Sequence, residues 1–141
     1  MSVHELTIAD MWLQTTLSDE TLAGFAPGGF HVDEAPDGTP TPYGIYALQS
    51  GGNDSLTMNV RRLLTNPLYQ VMVTGEASKM SDIVSAASYV DDLLKRANGT
   101  VTGGYIAICF REMPLEKGET INDVKWKSVG GLYRLQIQQT T

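Results

Sequence analysis

Pro67-Leu68-Tyr69-Gln70-Val71-Met72-Val73-Thr74-Gly75 opens the stretch, residues 67–99, from which the rest of the fold is read. Leu68, Tyr69, Val71, Met72 and Val73 form an apolar run rich in β-branched and aromatic side chains, broken only by Gln70 and ended by Thr74-Gly75. A run this continuous predicts a strand covered on both faces, because a half-wet strand alternates. Beyond Gly75 the period lengthens. Met80, Ile83, Val84, Ala87, Val90, Leu94 and Ala97 recur at helical steps on one face, with Ser85, Ser88, Asp91, Asp92 and Lys95 mostly on the other. Ser78 or Ser81 suits the N-cap and Asp82 the positive end of the helix dipole. Lys95 and Arg96 suit the negative end, and Asn98-Gly99 a left-handed stop. A strand feeding directly into the longest helix is the frame of the chain.

Toward the N-terminus, residues 5–17 predict an amphipathic helix. Leu6, Met11, Leu13 and Leu17, with Ile8 and Trp12 beside them, make its broad apolar side. Ser18-Asp19-Glu20 restarts a short helical turn with Ser18 in the capping position, and Gly24, Pro27, Gly28 and Gly29 end it. Residues 29–34 predict a brief strand and 35–40 a loop rich in turn residues. Residues 42–50 predict a mostly apolar strand whose first position, Pro42, loses little by lacking an N–H. Gly51-Gly52-Asn53-Asp54 makes a turn, and alternation at Leu56, Met58 and Val60 favours an exposed strand in residues 55–64.

Toward the C-terminus, residues 105–112 predict a strand with Ile106, Ile108 and Phe110 on one face and Tyr105, Ala107, Cys109 and Arg111 on the other. Residues 113–123 read as a charged connection. Residues 125–138 form a last strand, interrupted by a bulge or bend at Gly130-Gly131, with Tyr133, Leu135 and Ile137 toward a core. No internal repeat, low-complexity tract or linker divides the chain. The expectation is one α+β domain over residues 1–141: a mixed, mostly antiparallel sheet with two main helices packed on one face.

The chain is long enough to bury one core. Only 18% of its residues are charged, a lean surface compatible with extensive subunit contact. A net charge of −6 and a pI near 4.7 argue against general nucleic-acid binding, since phosphates are repelled. The basic clusters Arg61-Arg62 and Lys125-Lys127 lack the interleaved aromatics of a stacking platform, although Trp126 sits between the two lysines. The single cysteine, Cys109, excludes an intramolecular disulfide and is expected as a small buried thiol. No stretch approaches the ~18 consecutive apolar residues of a membrane span. The N-terminus lacks the basic and apolar regions of a signal peptide, so the expected setting is a reducing cytoplasm.

The search for chemistry is mostly negative. His4 and His31 stand at no metal-pair spacing with Cys109 or a carboxylate, and both read as surface residues. Asp91-Asp92 diverge on a helix and read as a solvated face; Asp33-Glu34 have the donors for a divalent ion, but one dipeptide is too little to predict a site. No nucleophile elbow, phosphate-binding loop or dinucleotide fingerprint occurs, and the glycine pairs at 28–29, 51–52, 103–104 and 130–131 read as turns and bulges. No catalytic residue, cofactor or metal is predicted, and the chain does not read as an enzyme. Trp12, Trp126 and the six tyrosines are the large anchors, most for the core and some for a subunit interface.

Phe30-His31-Val32, the loop to Pro40-Thr41-Pro42-Tyr43-Gly44-Ile45-Tyr46, an excursion at 50–66, Tyr69-Gln70-Val71-Met72-Val73 and the helix at 81–94 follow one another in a telling order. That succession resembles the tail terminator (tail completion) proteins of long-tailed bacteriophages, in order of elements over residues 5–138. The resemblance implies a ring, usually a hexamer, on the head-proximal end of the tail tube. The ring stops tube polymerisation and offers its other face to the head–tail connector, by interface complementarity and without catalysis. It also implies a virion protein made in the host cytoplasm, whose channel passes DNA without specific binding and which meets no membrane. Under this reading the candidate contact residues are Asp37, Arg61, Arg62, Glu116, Lys117 and Glu119, in the loop 35–41, the excursion 50–66 and the connection 115–123. The length of the excursion also suits another neck, head-closure or baseplate component. Two readings come from other classes: a small-molecule-binding or enzymatic domain with a pocket between sheet and helices, and an adaptor that adds a strand to its sheet edge. Oligomeric state separates them, since a ring points to virion assembly and a monomer with a closed pocket to an enzyme.

Overall fold

The structure of the chain, a computed structural model, describes residues 4–52, 55–56, 62–95 and 98–139, with residues 55, 56, 62 and 63 described by backbone alone. In chain order the elements are α1 (Glu5–Thr16), α2 (Glu20–Phe25), β1 (Phe30–Val32), β2 (Tyr43–Ser50), β3 (Ser55–Leu56), β4 (Arg62–Leu64) and β5 (Leu68–Glu76). There follow α3 (Met80–Leu94) after a 3-10 turn at Ala77–Lys79, then β6 (Gly99–Val101), β7 (Gly104–Ile121) and β8 (Val124–Gln139). Six strands make one sheet in the order β1-β2-β5-β8-β7-β6, while β3 and β4 pair apart from it. Only β1 and β2 are parallel; every other pairing is antiparallel. The α+β class with helices on one face is as the sequence predicts.

The core lies between that helical layer and the sheet. Ile8, Trp12 and Leu13 of α1 and Ile83, Ala86, Val90 and Leu94 of α3 are buried against Tyr46, Tyr69, Val71, Val73, Ile106, Tyr133, Leu135 and Ile137. Each such large side chain taken from water contributes about 1.5–3 kcal/mol. Tyr69, Val71 and Val73 alternate toward the helices, as a strand's period of two requires. The opposite face of β5 carries no second layer among the described residues. There Met72 is buried, at 4% exposure, while Leu68, Gln70 and Thr74 are half-buried. The expectation of a strand covered on both faces is corrected accordingly, and the strand runs on through Gly75 to Glu76.

The helix ends differ from the sequence reading. His4 caps α1, its Nδ1 accepting the Leu6 N–H at 3.1 Å. Asp19, not Ser18, caps α2 by accepting the N–H groups of Thr21 and Leu22, because the Ser18 hydroxyl donates back to the Gln14 carbonyl. Neither Ser78 nor Ser81 caps α3: the first lies in the 3-10 turn, the second inside the helix, and the cap position belongs to Lys79. At its other end Lys95 turns to extended backbone and Gly99 already begins β6, so the left-handed stop is not used; Ala97 lies outside the described residues. The buried stripe of α3 is Ile83, Ala86, Ala87, Val90 and Leu94, leaving Val84 outside it at 42% exposure.

The largest difference is at 113–123. These residues are not a connection: β7 continues to Ile121 and turns through Asn122-Asp123 into β8. Both turn residues have positive φ, 51° and 65°, the backbone sense that a two-residue hairpin loop demands. A register shift between Ile106 and Ile108 keeps Ile106 and Cys109 both in the core and turns Ile108 and Phe110 to the open face. Gly130 and Gly131 are regular ladder positions, so the expected bulge is absent from β8 and lies on β7 opposite, between Arg111 and Met113.

Candidate assembly interface

The sheet register fixes what the face away from the helices presents. Across β2, β5, β8 and β7 the rows are Tyr43, Thr74, Ser128 and Lys117, then Ile45, Met72, Gly130 and Leu115, then Ala47, Gln70, Leu132 and Met113. A groove of about 430 Å³ follows these rows, with Trp126 and Glu119 at the hairpin end. Its floor mixes apolar Met72 with polar Gln70, Thr74 and Ser128, and the last two share a hydroxyl hydrogen bond of 2.8 Å. Beyond the third row Arg134 is pinned, donating to the Glu112 carboxylate at 2.7 and 3.3 Å and to the Asn66 carbonyl at 2.8 Å.

The second feature is the edge of β7. β6 pairs only with residues 104–106, so from 107 to 121 the outer side of β7 has no strand partner among the described residues. Phe110, Met113, Ile121 and, just across the turn, Val124 are all exposed large apolar side chains. Between this edge and α3 lies a groove of about 480 Å³ whose walls include Val84, Asp91, Arg111 and Pro114. Asp91 accepts the Tyr133 hydroxyl at 3.1 Å and faces the Arg111 guanidinium at 3.8 Å.

The structure brings together three of the candidate contact residues, Glu116, Lys117 and Glu119, on the end of the β7–β8 hairpin. Glu116 is held there by Lys127 at 2.6 Å. Asp37 is exposed in the loop after β1, at the far side of the sheet order. Arg61 lies outside the described residues, and Arg62 is described by backbone alone, at the start of β4. The sequence reading missed Phe110, Met113 and the free edge itself. The signal for them was Asn122-Asp123 between two runs of strand-forming residues, a hairpin turn overlooked among the surrounding charges.

Buried polar groups are spent on the fold. Tyr69 donates to Asp10 at 3.2 Å and Tyr46 to Gln14 at 2.9 Å, tying β5 and β2 to α1. Burial, then the facing Asp10 or Asp91 carboxylate, pushes the Tyr69 and Tyr133 hydroxyls well above their ordinary range. Burial, with Asp91 adding to it, pushes the Cys109 thiol up to about 12, which keeps it un-ionised and unreactive. Among the described residues no group of three His, Cys, Asp or Glu is placed to hold a metal ion, and no helix is long and apolar enough to cross a membrane.

The Asp10 carboxyl is raised, chiefly by burial, against a lowering by the Tyr69 hydroxyl, with a last and smallest raise from Asp33. The native state therefore holds this proton more tightly than the unfolded chain, so Asp10 makes stability fall as pH rises from its ordinary value of about 4 through its raised native value. Asp10→Asn, which keeps an acceptor for Tyr69, is expected to be the more stable protein at pH 7. Its advantage should vanish below about pH 4. Urea titrations of both proteins at the two pH values check this; a variant less stable at pH 7 would contradict it.

These features define a class: a one-sided α+β sheet with a mixed apolar and polar open face and, among the described residues, a long edge without a strand partner. No protein-family model matches the sequence, and no curated protein does. The chain is similar in fold to a solved chain from the virion of a native gene transfer agent particle, with a TM-score of 0.67 at 15% identity, over 97% of this chain and 99% of that one.

Proposed function

We propose that this chain is a structural virion protein, a tail terminator whose ring caps the head-proximal end of a tail tube. The observation that carries the reading is end-to-end likeness of fold to a virion chain, with nearly all of both chains covered. The long free edge of β7 and the exposed apolar residues beside it favour stable contact with other copies. On this reading the ring stops tube growth by occupying the last tube layer's docking surface and presents its other face to the head-side connector. Asp37, Arg61, Arg62, Glu116, Lys117 and Glu119 serve contacts between proteins, and no residue serves catalysis. The net charge of −6 suits a channel through which DNA passes without adhering.

Light scattering of the purified protein, alone and with purified tail-tube protein, tests the reading. A sixfold mass, or a ring that forms only on the tube, is the expected result. A monomer indifferent to tube protein would remove the reading, and a ring that binds connector but not tube would move it to a head-closure protein.

A further inference from the structure

We infer that the free edge of β7 and the hairpin end beside it receive the acidic β1 side of a second copy of this chain, so that subunits join head to tail. The inference rests on the ring in the proposed function and names the two surfaces that close it.

The two ends of the sheet order are unlike in charge: lysines lie at one and only acids at the other. Residues 1–60 contain eight Asp and Glu and no Lys or Arg, whereas residues 61–141 contain all ten Lys and Arg with eight Asp and Glu. The fold turns this sequence asymmetry into a spatial one. Around β1 stand Glu20, Asp33, Glu34 and Asp37, all exposed and none with a cation partner among the described residues. On the hairpin, Lys117 and Lys125 are exposed and likewise form no ion pair among the described residues, while Lys127 holds Glu116; with the exposed Glu119 and Asp123 the hairpin end is near neutral, where the β1 side carries acids alone. Apolar surface accompanies the charge at both ends: Val32 is 47% exposed on β1, and Met113 is 48% exposed on β7.

One chain cannot satisfy both surfaces itself. β2, β5 and β8 separate β1 from β7, which at roughly 4.8 Å per strand step puts the two edges on the order of 19 Å apart. Strand sense also suits a neighbour. Because β1 is parallel to β2 and each following pairing is antiparallel, β1 runs opposite to β7, so a copy continuing the sheet meets β7 in antiparallel sense. Pro114 and the two register shifts interrupt the free edge, which limits open-ended strand addition. Charge then selects the partner surface and fixes its place along the edge. Joining two different surfaces makes a heterologous contact, which closes into a ring when the rotation between subunits divides the circle.

The test is a charge swap read by solution mass, using full-length protein, with tail-tube protein present if the ring needs it. Lys117→Glu with Lys125→Glu is expected to reduce the assembled mass to that of the monomer, and Glu34→Lys with Asp37→Lys to do the same. The four changes in one chain are expected to restore the wild-type mass. Far-ultraviolet circular dichroism identical to wild type keeps a folding defect out of the comparison. Wild-type assembly that survives both pairs unchanged would overturn these surfaces and leave the ring standing, as would four changes that fail to restore it. A wild-type protein that is monomeric with and without tube protein would overturn the ring and the surfaces together.

Discussion

Gly130→Ala is expected to destabilise the protein by about 3 kcal/mol, the upper end of what one added methyl costs a packed interior. A Cβ at this position would stand 1.9 Å from the Val71 carbonyl oxygen, 2.8 Å from the Met72 Cα and 2.9 Å from the Val71 carbonyl carbon. All three atoms are backbone of β5, and β5 is held on its far side by β2 and pressed by α3 from the helical face. A side chain in the way would swing aside; a central strand cannot. Gly118→Ala is the control, because its Cβ would meet only the Lys127 side chain, at 3.6 Å and beyond. Freed of glycine's entropy cost in a strand, that variant is expected to match wild type or gain up to about 1 kcal/mol. Chemical denaturation followed by the fluorescence of the buried Trp12 measures both. A Gly130→Ala midpoint equal to wild type would refute the close approach of β5 and β8.

Gly130 also illustrates how far the sequence could be read. The alternation at Tyr133, Leu135 and Ile137 gives the core face of β8 correctly, since nothing but the pleat decides it. A glycine pair inside that run reads equally as a bulge or as a close approach, and only the neighbouring strand decides between them. The same limit applies along β7. Ile106, Ile108 and Phe110 have the spacing of one strand face, but the register shift after Ile106 divides them between the core and the open face. Pro114 and Gly118, with the charges around them, disguise the second half of the strand. The turn at Asn122-Asp123, two residue types that tolerate the left-handed region, is the one local sign of the hairpin. For the candidate interface, Asp37 reads correctly as a loop charge, whereas Glu116, Lys117 and Glu119, read as part of a charged connection, stand on β7. Which charges face a partner depends on the edge being free, a tertiary property with no local pattern.

Ile83→Ala set against Val84→Ala separates what holds the monomer from what lies beside the edge. The two residues are neighbours on α3, one helical step of about 100° apart, and the sequence places both on the apolar face. In the structure Ile83 is fully buried, its side chain packed over Gly75 of β5, where an added Cβ would meet it at 3.2 Å. Truncating it empties a site between a helix and a central strand that cannot collapse independently, and the expected loss is about 3 kcal/mol, within the range for Ile→Ala in a core. Val84 stands in the groove between α3 and β7, already largely in water, and its truncation is expected to cost less than about 1 kcal/mol. Equal losses would mean that the helix is rotated from its described position. The pair also calibrates assembly measurements: Ile83→Ala loses mass only by unfolding, in step with its denaturation midpoint. A drop in assembled mass by Val84→Ala without a shift in that midpoint would mean that the groove beside the free edge, and not the core beneath it, carries part of the contact between copies.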